Sequence, residues 1–138
     1  MEKHIINCDA NPFVPEGWTV EEHQKGGQFE WDPKKVQLWI TDRRKIGKYI
    51  WGETIREEVA NKTPFNANVL DYLFAHPELI PEEWKDKCQI HFWGTIYRDL
   101  HGNLCVRCLG WGGTRWSRSN RWIHYDWLGP HPTALRKN

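Results

Sequence analysis

Cys105 and Cys108 are two cysteines three positions apart, with Cys88, His91 and His101 close by in the chain, and their spacing invites a metal site. A zinc knuckle needs a turn that aims both sulfurs at one ion. The intervening Val106 and Arg107 instead have strand character, and in a strand positions three apart project to opposite faces. The spacing therefore favours neither zinc nor dithiol redox chemistry, and no metal or cofactor is expected. Nucleophilic catalysis lacks its usual settings as well. The chain has no GxSxG elbow, no phosphate-binding glycine loop and no cysteine with an identifiable activating neighbour. The expectation is a protein that is not an enzyme.

The residue pattern with most content is Leu109 to Pro132, LGWGGTRWSRSNRWIHYDWLGPHP. Trp111, Trp116, Trp122 and Trp127 stand five, six and five residues apart. Each indole can bury a large apolar area and still offer its N–H to a partner, so four of them can fix a backbone that has few aliphatic residues. Between them lie Arg115, Ser117, Arg118, Ser119, Asn120, Arg121, His124 and Tyr125, side chains that adapt to a ligand by hydrogen bonding and stacking. The stretch reads as a binding surface for a protein or other macromolecule, with the rest of the chain as its support. Truncating Arg118 or Tyr125 should then weaken binding and spare the fold, whereas Trp122→Ala should cost about 3 to 5 kcal/mol if that ring is buried.

Two other readings compete. Arg107, Arg115, Arg118 and Arg121, interleaved with Trp111, Trp116, Trp122 and Tyr125, offer the charge and stacking faces that bind single-stranded RNA or DNA. A net charge of +1 and the absence of an RNP-like motif weigh against it. The plainest reading makes the tryptophans core and the arginines a solvated edge. Charge is unevenly spread: from Arg98 onward there are seven Lys/Arg and two Asp/Glu, and before it twelve and sixteen. The supporting part is acidic and the candidate surface basic.

At 138 residues the chain is expected to be one domain, 1–138, able to bury a core without disulfides or metal. No apolar run reaches about 18 residues, so no membrane span is expected. MEKHIINCDA has no signal-peptide core or cleavage site, and the four cysteines are unevenly placed, which points to a cytoplasmic protein with reduced thiols. Oligomeric state leaves no mark in the sequence.

The elements that must position the surface are short. Lys3 to Cys8 and Val36 to Thr41 read as strands, and Tyr49 to Trp51 as a return strand that makes a hairpin with the latter around the charged turn Asp42 to Lys48. Glu53 to Ala60 reads as a helix with Thr54 as its cap and Ile55 and Val59 on one face. A second helix follows in NANVLDYLFAHP, with Asn66 or Asn68 capping and His76 before Pro77 ending it. Pro81 opens a brief helix through Trp84. Cys88 to Arg98 and Leu104 to Trp111 form a central hairpin around DLHGN, with Arg98 opposite Leu104, Ile96 opposite Val106 and Trp93 near Leu109. Ile90, Phe92, Ile96, Leu104, Val106 and Cys108 would then share one face. Arg115 to Ser117 and Arg121 to Tyr125 read as two shorter strands with a turn at Ser117 to Asn120, and the chain from Leu135 as frayed.

From Ile90 to Arg136 there is no Lys, Glu, Gln or Met, although all four types occur before it. Asn codons ending in a pyrimidine, randomised at their adenines, cannot reach those residues, and the Trp codon contains no adenine. The runs NANVLDYLFAHPELIPEEWK, HFWGTIYRDLHGNLCVRCLGW, RWIHYDW and HPTAL resemble small bacterial proteins with a fixed Trp frame and hypervariable sites. That pattern is similar to the target proteins of diversity-generating retroelements. The resemblance covers about residues 66 to 135 and implies a C-type-lectin-like fold with variable ligand-binding residues. By position those would be Thr114, Arg115, Ser117, Arg118, Ser119, Asn120, Arg121, His124, Tyr125 and His131, framed by Trp93, Trp111, Trp116, Trp122 and Trp127. The expected fold class is α+β: an antiparallel sheet, two or three short helices and a Trp-rich C-terminal β region.

Overall fold

The computed structural model describes residues 2–40, 49–87, 89–128 and 130–137. The N-terminal strands are β1 (Ile5–Asn7), β2 (Thr19–His23), β3 (Gln28–Glu30), β4 (Val36–Trp39) and β5 (Ile50–Trp51). Two helices follow, α1 (Gly52–Val59) and α2 (Ala67–Ala75). The remaining strands are β6 (Gln89–His91), β7 (Thr95–Arg98), β8 (Leu104–Trp111), β9 (Trp116–Trp122), β10 (Asp126–Trp127) and β11 (Thr133–Arg136). The architecture is mixed α+β.

Helix α2 forms where local signals agree. The Asn66 side chain accepts from the Asn68 N–H, Val69, Leu70 and Leu73 are buried along one face, and His76 before Pro77 ends the helix. Helix α1 buries Ile55 and Val59 as expected, but Thr54 is not its cap. Trp51 holds the cap position without a side-chain bond, and the Gly52 N–H donates to the Tyr125 carbonyl at 2.9 Å. A distant loop satisfies this end of the helix.

The main sheet has seven strands in the order β2-β7-β8-β6-β11-β4, with β9 on the other side of β8. Every pairing is antiparallel except β6 with β11, which run parallel through His91 and Thr133, so the sheet is mixed where an antiparallel one was expected. Arg98 lies opposite Leu104 and Tyr97 opposite Cys105, as the DLHGN turn requires. Beyond that point His91 meets Cys108 and Ile90 meets Leu109. The Phe92 N–H still donates to the Arg107 carbonyl at 3.1 Å, but the stretch that follows, through Trp93 and Gly94, has three residues more than β8 opposite it, and because three is odd, Ile90 changes face and joins Leu109 instead of Val106. The cause is tertiary. Gly94 donates to the Phe65 carbonyl, and its Cα lies so close to that chain that an added Cβ would sit 2.7 Å from Asn66 Cα.

Ile90, Phe92 and Leu109 pack with α2 and with Ile6 and Phe29 of the β1-β3 pair. On the opposite face Ile96, Val106, Trp93 and Trp127 pack with Ile55 and Val59 of α1. One helix thus covers each face, and Leu104 to Gly110 of β8 are buried throughout.

Two further expectations are corrected. β4 and β5 are not a hairpin: β4 pairs with β11 and β5 with β10, while the charged turn 42–48 lies outside the described residues. The segment from Leu135 does not fray. Leu135 is buried within β11, which runs between β6 and β4. No helix among the described residues is long and apolar enough to cross a membrane.

Candidate functional site

The surface is built on β9, one continuous strand paired along its whole length with β8, from Trp111 opposite Trp116 to Cys105 opposite Trp122. The turn expected at Ser117 to Asn120 lies instead at residues 112–115. There the Gly112 N–H reaches the Arg115 carbonyl at 2.9 Å and Gly113 takes a φ of 96° that few side chains tolerate. The run Ser117 to Asn120 has turn composition, yet the long buried β8 offers it a complete ladder, and that tertiary partner decides.

Buried indoles hold both ends. Trp111 and Trp116 lie 5.4 Å apart beside the hairpin loop. Trp127 is buried against Trp93 at 5.5 Å, and its Nε1 donates to the Trp122 carbonyl at 2.9 Å. Trp122 is different: 49% exposed, it donates to Asp99 at 3.1 Å and edges against Tyr125. It belongs to the surface and not to the core. Trp122→Ala is therefore expected to lower stability by about 1 kcal/mol, from a half-buried ring and one exposed hydrogen bond, read from the urea midpoint.

Thr114, Arg115, Ser117, Arg118, Ser119, Asn120, His124 and Tyr125 are exposed, and Arg121 is half-buried. They do not form one patch, because side chains alternate across β9. Arg118 and Asn120 share the α2 face with Arg107. There Asp71 accepts two bonds from Arg107, at 2.8 and 3.0 Å, and one from Arg118 at 3.0 Å, while Arg118 also lies 4.1 Å over the Phe74 ring. Beside them Phe13, Pro15, Trp18 and Asn120 line an open cleft of about 240 Å³.

On the opposite face Ser119 donates to Gln89 at 3.1 Å, and Arg121 stacks 4.7 Å from the Trp127 ring. His131, expected to touch ligand, is 1% exposed, so that assignment is corrected. It lies beneath Arg121, 3.1 Å from its guanidinium, and beside buried His91. Burial, followed by the Arg121 charge, pushes His91 down to about 3 and His131 down to about 4. At the end of the strand His124 stacks parallel to Trp51 and reaches Glu53 at 3.2 Å.

The backbone of this end is set by Gly52. An added Cβ there would collide with the Ile123 carbonyl. Gly52→Ala is expected to cost about 1 to 3 kcal/mol as the 123–125 loop is pushed off α1, seen as a lower urea midpoint with shifted amide resonances for those residues.

Cys105 and Cys108 face opposite sides of β8, Cys105 with Tyr97 and Cys108 against the Ser119 hydroxyl at 3.1 Å. Burial raises both thiols, Cys105 to about 11. Cys88 lies outside the described residues, and among those described no three His, Cys, Asp or Glu side chains could hold a metal ion. Sequence reasoning overlooked Asp71, Phe13 and Trp18. Asp71 had a signal, since it is the only charged residue in α2. No protein family, curated protein or solved structure matches the chain.

Proposed function

We propose that this is a non-catalytic recognition protein that binds a protein or other macromolecule along β9 and the adjoining 123–125 loop. One observation carries the reading: eight of the ten expected contact residues are exposed on a backbone tied to β8, which is buried from Leu104 to Gly110. Such side chains can change without disturbing the core, and Arg and Tyr among them are the types that concentrate binding energy.

Diversification of the kind seen in retroelement targets is part of the same proposal. It is supported by the way buried tryptophans bracket the changeable positions. A C-type-lectin-like ancestry is its finer form and draws support from a C-terminal display hairpin beside two helices. The single-stranded nucleic-acid reading has less behind it. Asp71 engages both Arg107 and Arg118, which leaves a smaller free positive charge than the sequence promised.

The test is to sequence the locus in many sister isolates. Substitutions confined to the positions between tryptophans, and traceable to adenines in a nearby template copy, would support the proposal. A uniform stretch, arginines included, would overturn it. The nucleic-acid alternative would then be tested by the steep loss of affinity with added salt that phosphate binding entails.

A further inference from the structure

Among the described residues the outer edge of β9 is open. The Ile123 N–H bonds to the Leu104 carbonyl and the Gly112 N–H to the Arg115 carbonyl, both at 2.9 Å. Bonded and non-bonded pairs alternate along an antiparallel ladder, so Ser117, Ser119 and Arg121 turn their backbone groups toward β8. Those of Trp116, Arg118, Asn120 and Trp122 turn away from it. The Trp122 carbonyl is taken by Trp127 Nε1. Among the described residues no strand pairs with this side, so Arg118 and Asn120 each present an N–H and a C=O with no ladder partner. The seven residues of β9 contain no proline, and their register with β8 is unbroken. A straight edge of this kind is a template for another strand.

We infer that β9 takes up an extended, acidic peptide segment of another protein as an additional strand. The inference rests on the recognition role proposed above and specifies its mode. Charge selects the occupant. Among the described residues around β9, Arg107, Arg115, Arg118 and Arg121 face only Asp71, which Arg107 and Arg118 share, and Asp99, which holds Trp122, so positive charge is in excess. A second copy of β9 would set the same excess of arginines alongside, about 4.8 Å away across the ladder. An acidic segment meets opposite charge instead. Peptide residues opposite Arg118 and Asn120 would fall on the face of the Phe13, Pro15 and Trp18 cleft, which suits an apolar side chain. Their neighbours would fall on the face of Arg121, which suits a carboxylate.

The experiment is selection of displayed random dodecapeptides on the full chain, with affinities then measured for synthetic versions. The expected binders are acidic and weaken with salt. They lose roughly tenfold in affinity when N-methylated at alternate positions and little at the positions between, because only every second N–H reaches β9. Asn120→Pro, which removes an outward N–H and leaves the β8 ladder intact, should weaken the same peptides at an unchanged melting temperature. N-methylation leaves the protein untouched and decides the matter if that variant folds poorly. Equal tolerance of N-methylation at every position overturns the inference, as does a selection without binders or self-association of the chain that Asn120→Pro abolishes. Binders lost with Tyr125→Ala but indifferent to N-methylation would sink strand addition alone and leave the recognition surface standing.

Discussion

Replacing Asp71 with alanine lowers stability by about 3 to 5 kcal/mol, because it leaves a buried guanidinium without its counter-charge. The Arg107 side chain is only 6% exposed, and two of its N–H groups end on the Asp71 carboxylate. What remains around it is the Tyr97 hydroxyl and the rings of Phe13 and Tyr97, at 5.6 and 5.9 Å, none of which carries a carboxylate's charge. Adding Arg107→Met to Asp71→Ala should recover most of the loss, since an apolar side chain of similar length needs no partner. Arg118→Ala alone should cost no more than about 1 kcal/mol, because that side chain is 36% exposed and its ion pair is screened. Urea unfolding of the four proteins measures all of this. A loss below about 1 kcal/mol for Asp71→Ala would mean that solvent reaches Arg107.

Acid will be the second strong perturbation. His91 and His131 are held neutral to about 3 and about 4, whereas in the unfolded chain each titrates near 6.5. Between those values the unfolded chain binds protons that the folded one refuses. The stabilising contribution is therefore complete above pH 6.5 and is lost as pH falls toward 4. By pH 5 the loss is on the order of 2 kcal/mol for each histidine. Nε2 of both rings is buried without a hydrogen-bond partner, and for His131 the nearby Trp127 carbonyl only partly offsets burial and the Arg121 charge. A charged His131 would also repel Arg121 from the Trp127 ring. Urea midpoints at pH 7.5, 6 and 5 should fall steadily for the natural protein and less steeply for His131→Gln. A profile flat to pH 5 would show that both rings protonate freely in the folded state.

What could be read from the sequence was local. Asn66, the Val69–Leu73 stripe and the His76-Pro77 stop define α2 within a dozen residues, and the DLHGN turn sets Arg98 against Leu104. The excursion at Trp93 and Gly94 leaves no local mark because its cause, the backbone at Phe65 and Asn66, lies far back in the chain. β9 reads as two strands because Ser and Asn favour turns in isolation, while a neighbouring strand buried from Leu104 to Gly110 overrides that preference. The exposure of the candidate contacts followed from residue type. Their division between two faces did not, since it depends on β9 being unbroken. Trp122 shows the limit of spacing arguments: strand alternation places it on the same face as Trp116, but only Trp116 packs into the α2 core.

The place of β11 has a consequence for synthesis. Arg136 pairs with Val36, one hundred residues away, and β4 has no other strand partner among the described residues. As the chain leaves the ribosome, that side of the sheet must wait until residues 133–136 emerge, so its closure is slow and long-range. The exposed hairpin is translated before its own lock. A frameshift or premature stop anywhere between Trp111 and Pro132 deletes the strand that joins β6 to β4, and the faulty product fails to close. Point changes at exposed positions leave the lock in place. The folding reaction thereby separates chains with altered surface residues from truncated ones.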